Sequence, residues 1–270
     1  MAQAWSYIVL ERLGGGVARI SFNRPEKRNA LSQAMTGEIL DALETVRADP
    51  DVRVVVTRGN GPCYCAGADL RDLGTLHKEP PRDWDRSHPN MLFYESFRNY
   101  PKVTIAQVHG HCLGGGMALM TCHDIAIAAD TAKIGMPEIV RGSFGQMALS
   151  SLYHTGIPAK KAAIMHFSGR NFSGTDADRF GLVSASVPEA ELEEVTLQLA
   201  SEIGSRHPAA LASAKIAVQV GKDLPWSQAL RTDQLVAARQ QLMMDTFSDV
   251  DNYLRSQSGG TNPGYRRSDT

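Results

Sequence analysis

The run Val108-His109-Gly110-His111-Cys112-Leu113-Gly114-Gly115-Gly116-Met117-Ala118-Leu119 decides how the chain is read. An apolar stretch, Val103 to Val108, precedes it with the composition of a buried strand. Met117–Cys122 follows as the first turns of a helix. Three glycines at a strand-to-helix corner allow a tight turn and a close backbone approach to a ligand. They also leave amide N–H groups free at the positive end of a helix, where negative charge is favoured. Close packing alone accounts for the glycines equally well. The run is not a phosphate-binding P-loop, because no Lys-Ser/Thr follows, and it lacks Gly-x-Gly-x-x-Gly spacing. A backbone anion site remains, its ligand unspecified.

Composition narrows the classes. With 270 residues, 43% hydrophobic and 21% charged, the chain can build a substantial core, as one large domain or a domain with an appendage. A net charge of −1 gives no electrostatic attraction for nucleic acid or an anionic membrane. No apolar run reaches the ~18–20 residues of a membrane span. The start, Met1-Ala2-Gln3-Ala4-Trp5, lacks the basic and apolar parts of a secretory signal. Cys63, Cys65, Cys112 and Cys122 have neither the density of a disulfide framework nor zinc-ligand spacing. Reduced thiols, a cytoplasmic location and no bound metal are the expectations.

Outward from the glycine corner, Tyr7–Leu10 and Val17–Phe22 flank Gly14-Gly15-Gly16 as a hairpin. After the polar turn Asn23–Ala30, Leu31-Ser32 opens a helix to about Arg47, with Met35, Ile39, Leu43 and Val46 at helical spacing. Val52–Thr57 reads as a buried strand. In Cys63-Tyr64-Cys65-Ala66-Gly67-Ala68-Asp69-Leu70, Gly67 permits a turn, and a helix starting at Ala68 leaves that amide exposed. Residues 74–90, rich in Pro, His and charge, read as a long mobile loop of the kind that covers a site. Asn90–Tyr100 is an amphipathic helix, Asp124–Ala128 a strand, and short helices alternate with glycine turns up to the strand Val183–Val187. If the strand before Gly110 continued, His109 and His111 would share a side. From Glu189 the texture is helical: Leu192–Ile203, Ala209–Val220 and Trp226–Met244, then a loosely ordered tail, Ser256–Thr270.

Several of these pieces in order resemble the enoyl-CoA hydratase/isomerase (crotonase) family over nearly the whole chain. They are Asn23-Arg24-Pro25 with Asn29-Ala30-Leu31, Ala66-Gly67-Ala68-Asp69-Leu70, and Gly110 with Leu113-Gly114-Gly115-Gly116. Cys122-His123-Asp124-Ile125-Ala126 and Pro137-Glu138 complete the set. The resemblance implies an α/β fold, a crotonase-like spiral of ββα turns over residues 1–200, with a C-terminal α-helical region, 201–270, that trimerises. The assembly it implies is a homotrimer or a dimer of trimers. It implies an acyl-CoA thioester as substrate, coenzyme A entering only as part of it and no separate cofactor. The oxyanion-hole amides then fall at Ala68 and Gly115. Adenine and pantetheine lie along Ala66, Gly67, Ala68, Asp69 and Leu70, and the CoA entrance lies near Lys27, Arg28 and Ala30.

Hydratases of this family use two glutamates, one two positions after the third glycine and one in the Pro-Glu motif. Here the first position is Ala118 and the second is Glu138. Hydration needs a water deprotonated while a proton reaches the neighbouring carbon, and Ala118 can do neither. Arg141-Gly142-Ser143-Phe144-Gly145-Gln146-Met147 also replaces the hydratases' Gly-rich loop. The expectation is therefore isomerase-like: an enolate held by Ala68 and Gly115, with Glu138 as the single proton shuttle. Alternatives are an atypical hydratase, a hydratase-lyase, a decarboxylase or a non-catalytic acyl-CoA-binding protein. Hydratase-lyases use a C-terminal tyrosine that Trp226–Met244 lacks, and dehalogenases use an aspartate where Gln146 stands. Gln146 is kept as a site candidate; Arg86, His88 and Arg141 read as solvated. His109 and His111 have no partner for a triad.

Overall fold

The computed structural model describes residues 5–72, 89–221, 223–243 and 254. Strands β1 (Ile8–Gly14) and β2 (Val17–Phe22) form an antiparallel hairpin. Parallel to β2 run β3 (Val54–Gly59), β4 (Val103–Val108), β6 (Ile125–Ala129) and β9 (Ala185–Val187), in the order β1-β2-β3-β4-β6-β9. A second sheet joins β5 (His111–Leu113), β7 (Lys133–Gly135) and β8 (Asn171–Phe172). The helices are α1 (Gln33–Ala48), α2 (Pro89–Arg98), α3 (Gly115–Thr121), α4 (Gln146–Tyr153), α5 (Ala159–Ser168) and α6 (Gly174–Arg179). After them come α7 (Leu192–Gly204), α8 (Pro208–Gly221) and α9 (Trp226–Met243).

Each turn of the chain places one strand in the large sheet, bends, and runs through a second layer before turning helical. β4, β5 and α3 make one such turn; β6 and β7 lead into the 3-10 helix Pro137–Arg141. Isolated parallel bridges, Leu31 to Ala68 and Cys65 to Cys112, extend the second layer beyond β5. This is the expected spiral of ββα turns. Val54, Val55 and Val56 are all buried, because the strand is covered on both faces and need not alternate.

Local signals set the element ends. Ser32 caps α1, its hydroxyl accepting from the Met35 amide at 3.2 Å, and Met35, Ile39, Ala42, Leu43 and Val46 form the buried stripe. Gly110, at φ 55, ends β4 before the histidines share a strand. His109 instead turns its ring to the Gly61 carbonyl, 3.0 Å away. His123 is buried, and burial lowers its pKa to about 4, so the ring is neutral at pH 7. Its Nδ1 lies 2.8 Å from the Leu119 carbonyl and must donate there, so Nε2 accepts from the Thr57 hydroxyl at 2.8 Å.

The C-terminal helices are tied to this core by one buried ion pair. Lys215 on α8 reaches Asp124 Oδ2 at 2.5 Å, and the same oxygen accepts from the Thr104 amide and hydroxyl. By contrast, α9 buries only Val236 among its described residues and leaves Trp226 80% exposed, with Leu235 and Leu242 also open. No described helix is long and apolar enough to cross a membrane. Most of the loop expected at 74–90, and the tail Ser256–Thr270, lie outside the described residues; residues 89–90 are already helical.

Candidate active site

The segment 63–70 is held from below by the Asn23–Leu31 loop. Asn29, 0% exposed and at φ 52, donates from Nδ2 to the carbonyls of Asn60 (3.0 Å) and Cys63 (2.8 Å). Its Oδ1 accepts from the Arg24 amide at 2.9 Å. Arg24 reaches on to the Ala30 carbonyl at 2.6 Å and Asp69 Oδ2 at 3.1 Å. Backbone bonds from Ala66 to Arg28, Leu31 to Gly67 and Asp69 to Leu31 finish the clamp. The Ala68 amide stands among these bonds and donates to no described residue.

The glycine corner closes on the same point. Gly67, at φ 106, passes so close that a Cβ there would sit 2.9 Å from the Leu113 carbonyl and 3.6 Å from the Gly115 nitrogen. A Cβ on Gly115 would lie 3.3 Å from the Ala68 nitrogen. The two amides therefore lie close together, and the Gly115 amide, first in α3, also donates to no described residue. Packing within the chain accounts for two of the three glycines: Gly116 makes room for Cys65, and Gly114 makes room for a carboxylate.

That carboxylate is Glu138. Gly114 has φ 51 and ψ −116, a region that side chains avoid, and a Cβ there would collide with Glu138 Oε1. Glu138 Oε2 is buried with no hydrogen-bond partner among the described residues. A polar atom left so is costly unless something else occupies the site with it. Gly145 closes behind, its Cβ position 3.5 Å from the carboxyl carbon.

These pieces border a cleft of about 340 Å³. Lys27, Ala30 and Ala66 through Arg71 line one side; Gly114, Pro137, Glu138 and Arg141 line the other. Of the residues anticipated from sequence, Lys27, Ala30, Ala66, Gly67, Ala68, Asp69, Leu70 and Glu138 are brought together here, with Gly115 adjoining. Arg28 is not in the lining; its carbonyl holds Ala66 and the Cys63 thiol. Gln146 is exposed at the start of α4 and is not in the lining either. Ala118 is wholly buried and offers no polar atom to the cleft.

Charge around the cleft is settled unevenly. Burial acts to raise the Asp69 pKa, but the Arg71 amide and Arg24 guanidinium outweigh it and hold the carboxyl below its ordinary value. Burial pushes the Cys65 thiol up to about 12 and raises Cys112, so neither serves as a nucleophile.

Two participants escaped the sequence reading. Arg141 follows Glu138 by one 3-10 turn and so projects from the same face. Tyr94, on α2, donates its hydroxyl to the Gly115 carbonyl at 3.2 Å. The only sequence signal for Tyr94 is its polar tip beside the buried Phe93 and Phe97.

A family model described as enoyl-CoA hydratase/isomerase matches residues 12–254. A hydroxycinnamoyl-CoA hydratase-lyase of Pseudomonas fluorescens is 34% identical over 227 residues, 83% of this chain and 82% of that one. An enoyl-CoA isomerase/hydratase of Mycosarcoma maydis is 30% identical over 224 residues, 80% and 81% of the two chains. Among solved structures, an enoyl-CoA hydratase subunit I of Geobacillus kaustophilus superposes with a TM-score of 0.85 at 26% identity, covering 97% of this chain and 98% of that one.

Proposed function

The chain belongs to the enoyl-CoA hydratase/isomerase family, and from that premise we propose that it is a single-base enzyme of acyl-CoA thioesters. The thioester oxygen accepts from the Ala68 and Gly115 amides. Glu138 takes a proton from the α- or γ-carbon, charge moves onto the thioester oxygen as an enolate, and Glu138 returns the proton at another carbon. Preorganised amides of this kind contribute roughly 3–4 kcal/mol each to the developing oxyanion. The phosphates of coenzyme A meet Lys27 and Arg71. No metal or separate cofactor takes part.

The observation that carries this reading is the buried, unpartnered Glu138 Oε2 beside the glycine corner. With Ala118 apolar and Asp69 engaged by Arg24 and the Arg71 amide, no second free carboxylate lines the cleft among the described residues. The test is deuterium exchange from solvent into 2-enoyl-, 3-enoyl- and saturated acyl-CoAs, followed by mass spectrometry. Label incorporation without water addition, lost in Glu138→Gln, is expected. Binding without exchange by any thioester would instead leave an acyl-CoA-binding protein or a decarboxylase.

A second reading has one specific support, the hydratase-lyase name of the relative from Pseudomonas. On an aromatic enoyl-CoA, water addition gives a 3-hydroxyacyl-CoA, and breaking its Cα–Cβ bond releases an aldehyde and, after protonation of the α-carbon, acetyl-CoA. Solvent oxygen in the product, with aldehyde release, is the outcome that favours it over isomerisation. Self-association is part of the proposal as well: copies meet on α9, which leaves Trp226, Leu230, Leu235 and Leu242 exposed. A trimer or hexamer mass by light scattering is expected, and a monomer at micromolar concentration contradicts it.

A further inference from the structure

Tyr94 stands where the two amides meet. Its helix α2 is fixed in rotation by Phe93 and Phe97, both buried, with ring centroids 5.6 Å apart and planes at 73°. Phe97 in turn stacks at 4.8 Å on His123, which the Thr57 hydroxyl and Leu119 carbonyl hold. A rigid platform therefore carries the phenol. Its hydroxyl lies 3.2 Å from the Gly115 carbonyl and 2.8 Å from the place where a Cβ of residue 115 would stand. That same place is 3.3 Å from the Ala68 nitrogen.

Three successive glycines have no side chains to fix their backbone and the greatest freedom of any residue type. Gly114 is anchored through its amide to the Gly135 carbonyl. Gly115 has no such tie on its amide among the described residues. Tyr94 supplies the hydrogen bond on its carbonyl side.

We propose that Tyr94 is a positioning residue of the oxyanion hole, its hydroxyl holding the Gly115 main chain so that the Gly115 and Ala68 amides converge on one thioester oxygen. The inference rests on the acyl-CoA reading above. Burial, together with nearby acidic groups that include Glu138, raises the phenol pKa, so the hydroxyl stays a donor across the working range of pH. The bond acts on geometry rather than chemistry. It raises the rate without contributing a proton.

The test is Tyr94→Phe, which removes one oxygen and keeps the ring. Isotope-edited infrared spectra of a bound 2-enoyl-CoA, carbon-13 labelled at the thioester carbonyl, report how strongly the hole polarises that carbonyl. The expected result is a smaller downward shift of the carbonyl band in Tyr94→Phe. Exchange should slow about 3- to 10-fold, the worth of one neutral hydrogen bond, with thioester affinity little changed. Tyr100→Phe is the control, because its buried hydroxyl donates to the Leu43 carbonyl at 2.7 Å, away from the cleft. It should lower the melting temperature and leave the carbonyl band in place. An unchanged band and exchange rate in Tyr94→Phe overturn the proposal. A band that depends on Tyr94 in a protein that exchanges no proton leaves the positioning role standing and removes the single-base function. Failure of the parent to bind any CoA thioester removes both.

Discussion

Asp69 and Glu138 line opposite sides of one cleft, and the chain treats them differently. Asp69 is spoken for: Oδ2 takes Arg24 at 3.1 Å and Oδ1 takes the Arg71 amide at 3.1 Å. Glu138 has a buried oxygen with no partner among the described residues, and a glycine in a conformation closed to side chains makes space for it. A carboxylate that serves the fold is fully engaged within it. One left unengaged, at the expense of desolvation, points to an absent molecule. The contrast separates a frame from a working group with residues of the same charge.

The largest effect expected across this comparison is at Glu138. Glu138→Gln keeps the shape and removes the base, so proton exchange should fall about 100- to 10,000-fold, the usual worth of a positioned general base. Stability should hold or rise slightly, because the variant no longer buries an unpartnered charged oxygen. A variant that loses stability as much as activity would place Glu138 in the frame beside Asp69. Next is Gly114→Ala. Its methyl collides with Oε1, and the backbone conformation at φ 51 and ψ −116 is strained for alanine by roughly 1–3 kcal/mol. Exchange should drop by at least about 10-fold beyond what the stability loss explains, since a displaced base loses its reach. Thermal unfolding and exchange measured together separate the two effects.

What was legible in the sequence follows the same division. The Asn23–Leu31, Cys63–Leu70 and Gly110–Gly116 stretches announce themselves because their demands are local. Asn29 at positive φ, Gly67 at φ 106 and three glycines at a corner leave residue types that little else explains. Strands and helices were readable for the same reason, most with ends off by a residue or two: the helix read from Leu31-Ser32 starts at Gln33, behind its Ser32 cap, while β1, read to Leu10, runs on to Gly14. Contacts made only by the third dimension were not readable. Tyr94 reaches Gly115 from 21 residues away, and on α2 it is indistinguishable from a core aromatic. Arg141 enters the cleft because the chain after Pro137 winds with a three-residue period, whereas glycine turns at 142 and 145 deliver Gln146 to the surface. The solvated character usual for a loop arginine, and the family's aspartate position at Gln146, suggested the opposite assignment for that pair.

The smallest effect is expected at Asp69, and pH makes it readable. The Asp69 carboxyl is held below its unfolded value of about 3.9 by the Arg71 amide and Arg24. A depressed carboxylate stabilises the folded state fully above the unfolded value, and loses that contribution as pH falls through the folded value. The parent should therefore lose stability below about pH 4 more steeply than Asp69→Asn, whose side chain has no proton to take up. Above that pH the variant should be less stable by only about 1 kcal/mol, because asparagine still accepts from Arg71 and the lost pair is partly solvated. Exchange at neutral pH should change little, the Ala68 amide being held by the Leu31 and Arg28 backbone bonds as well. Melting curves from pH 3 to 7 on both proteins decide it. Parallel acid limbs would mean that Asp69 is not the engaged partner of this comparison, and that the Ala66–Leu70 segment is held by its backbone bonds alone.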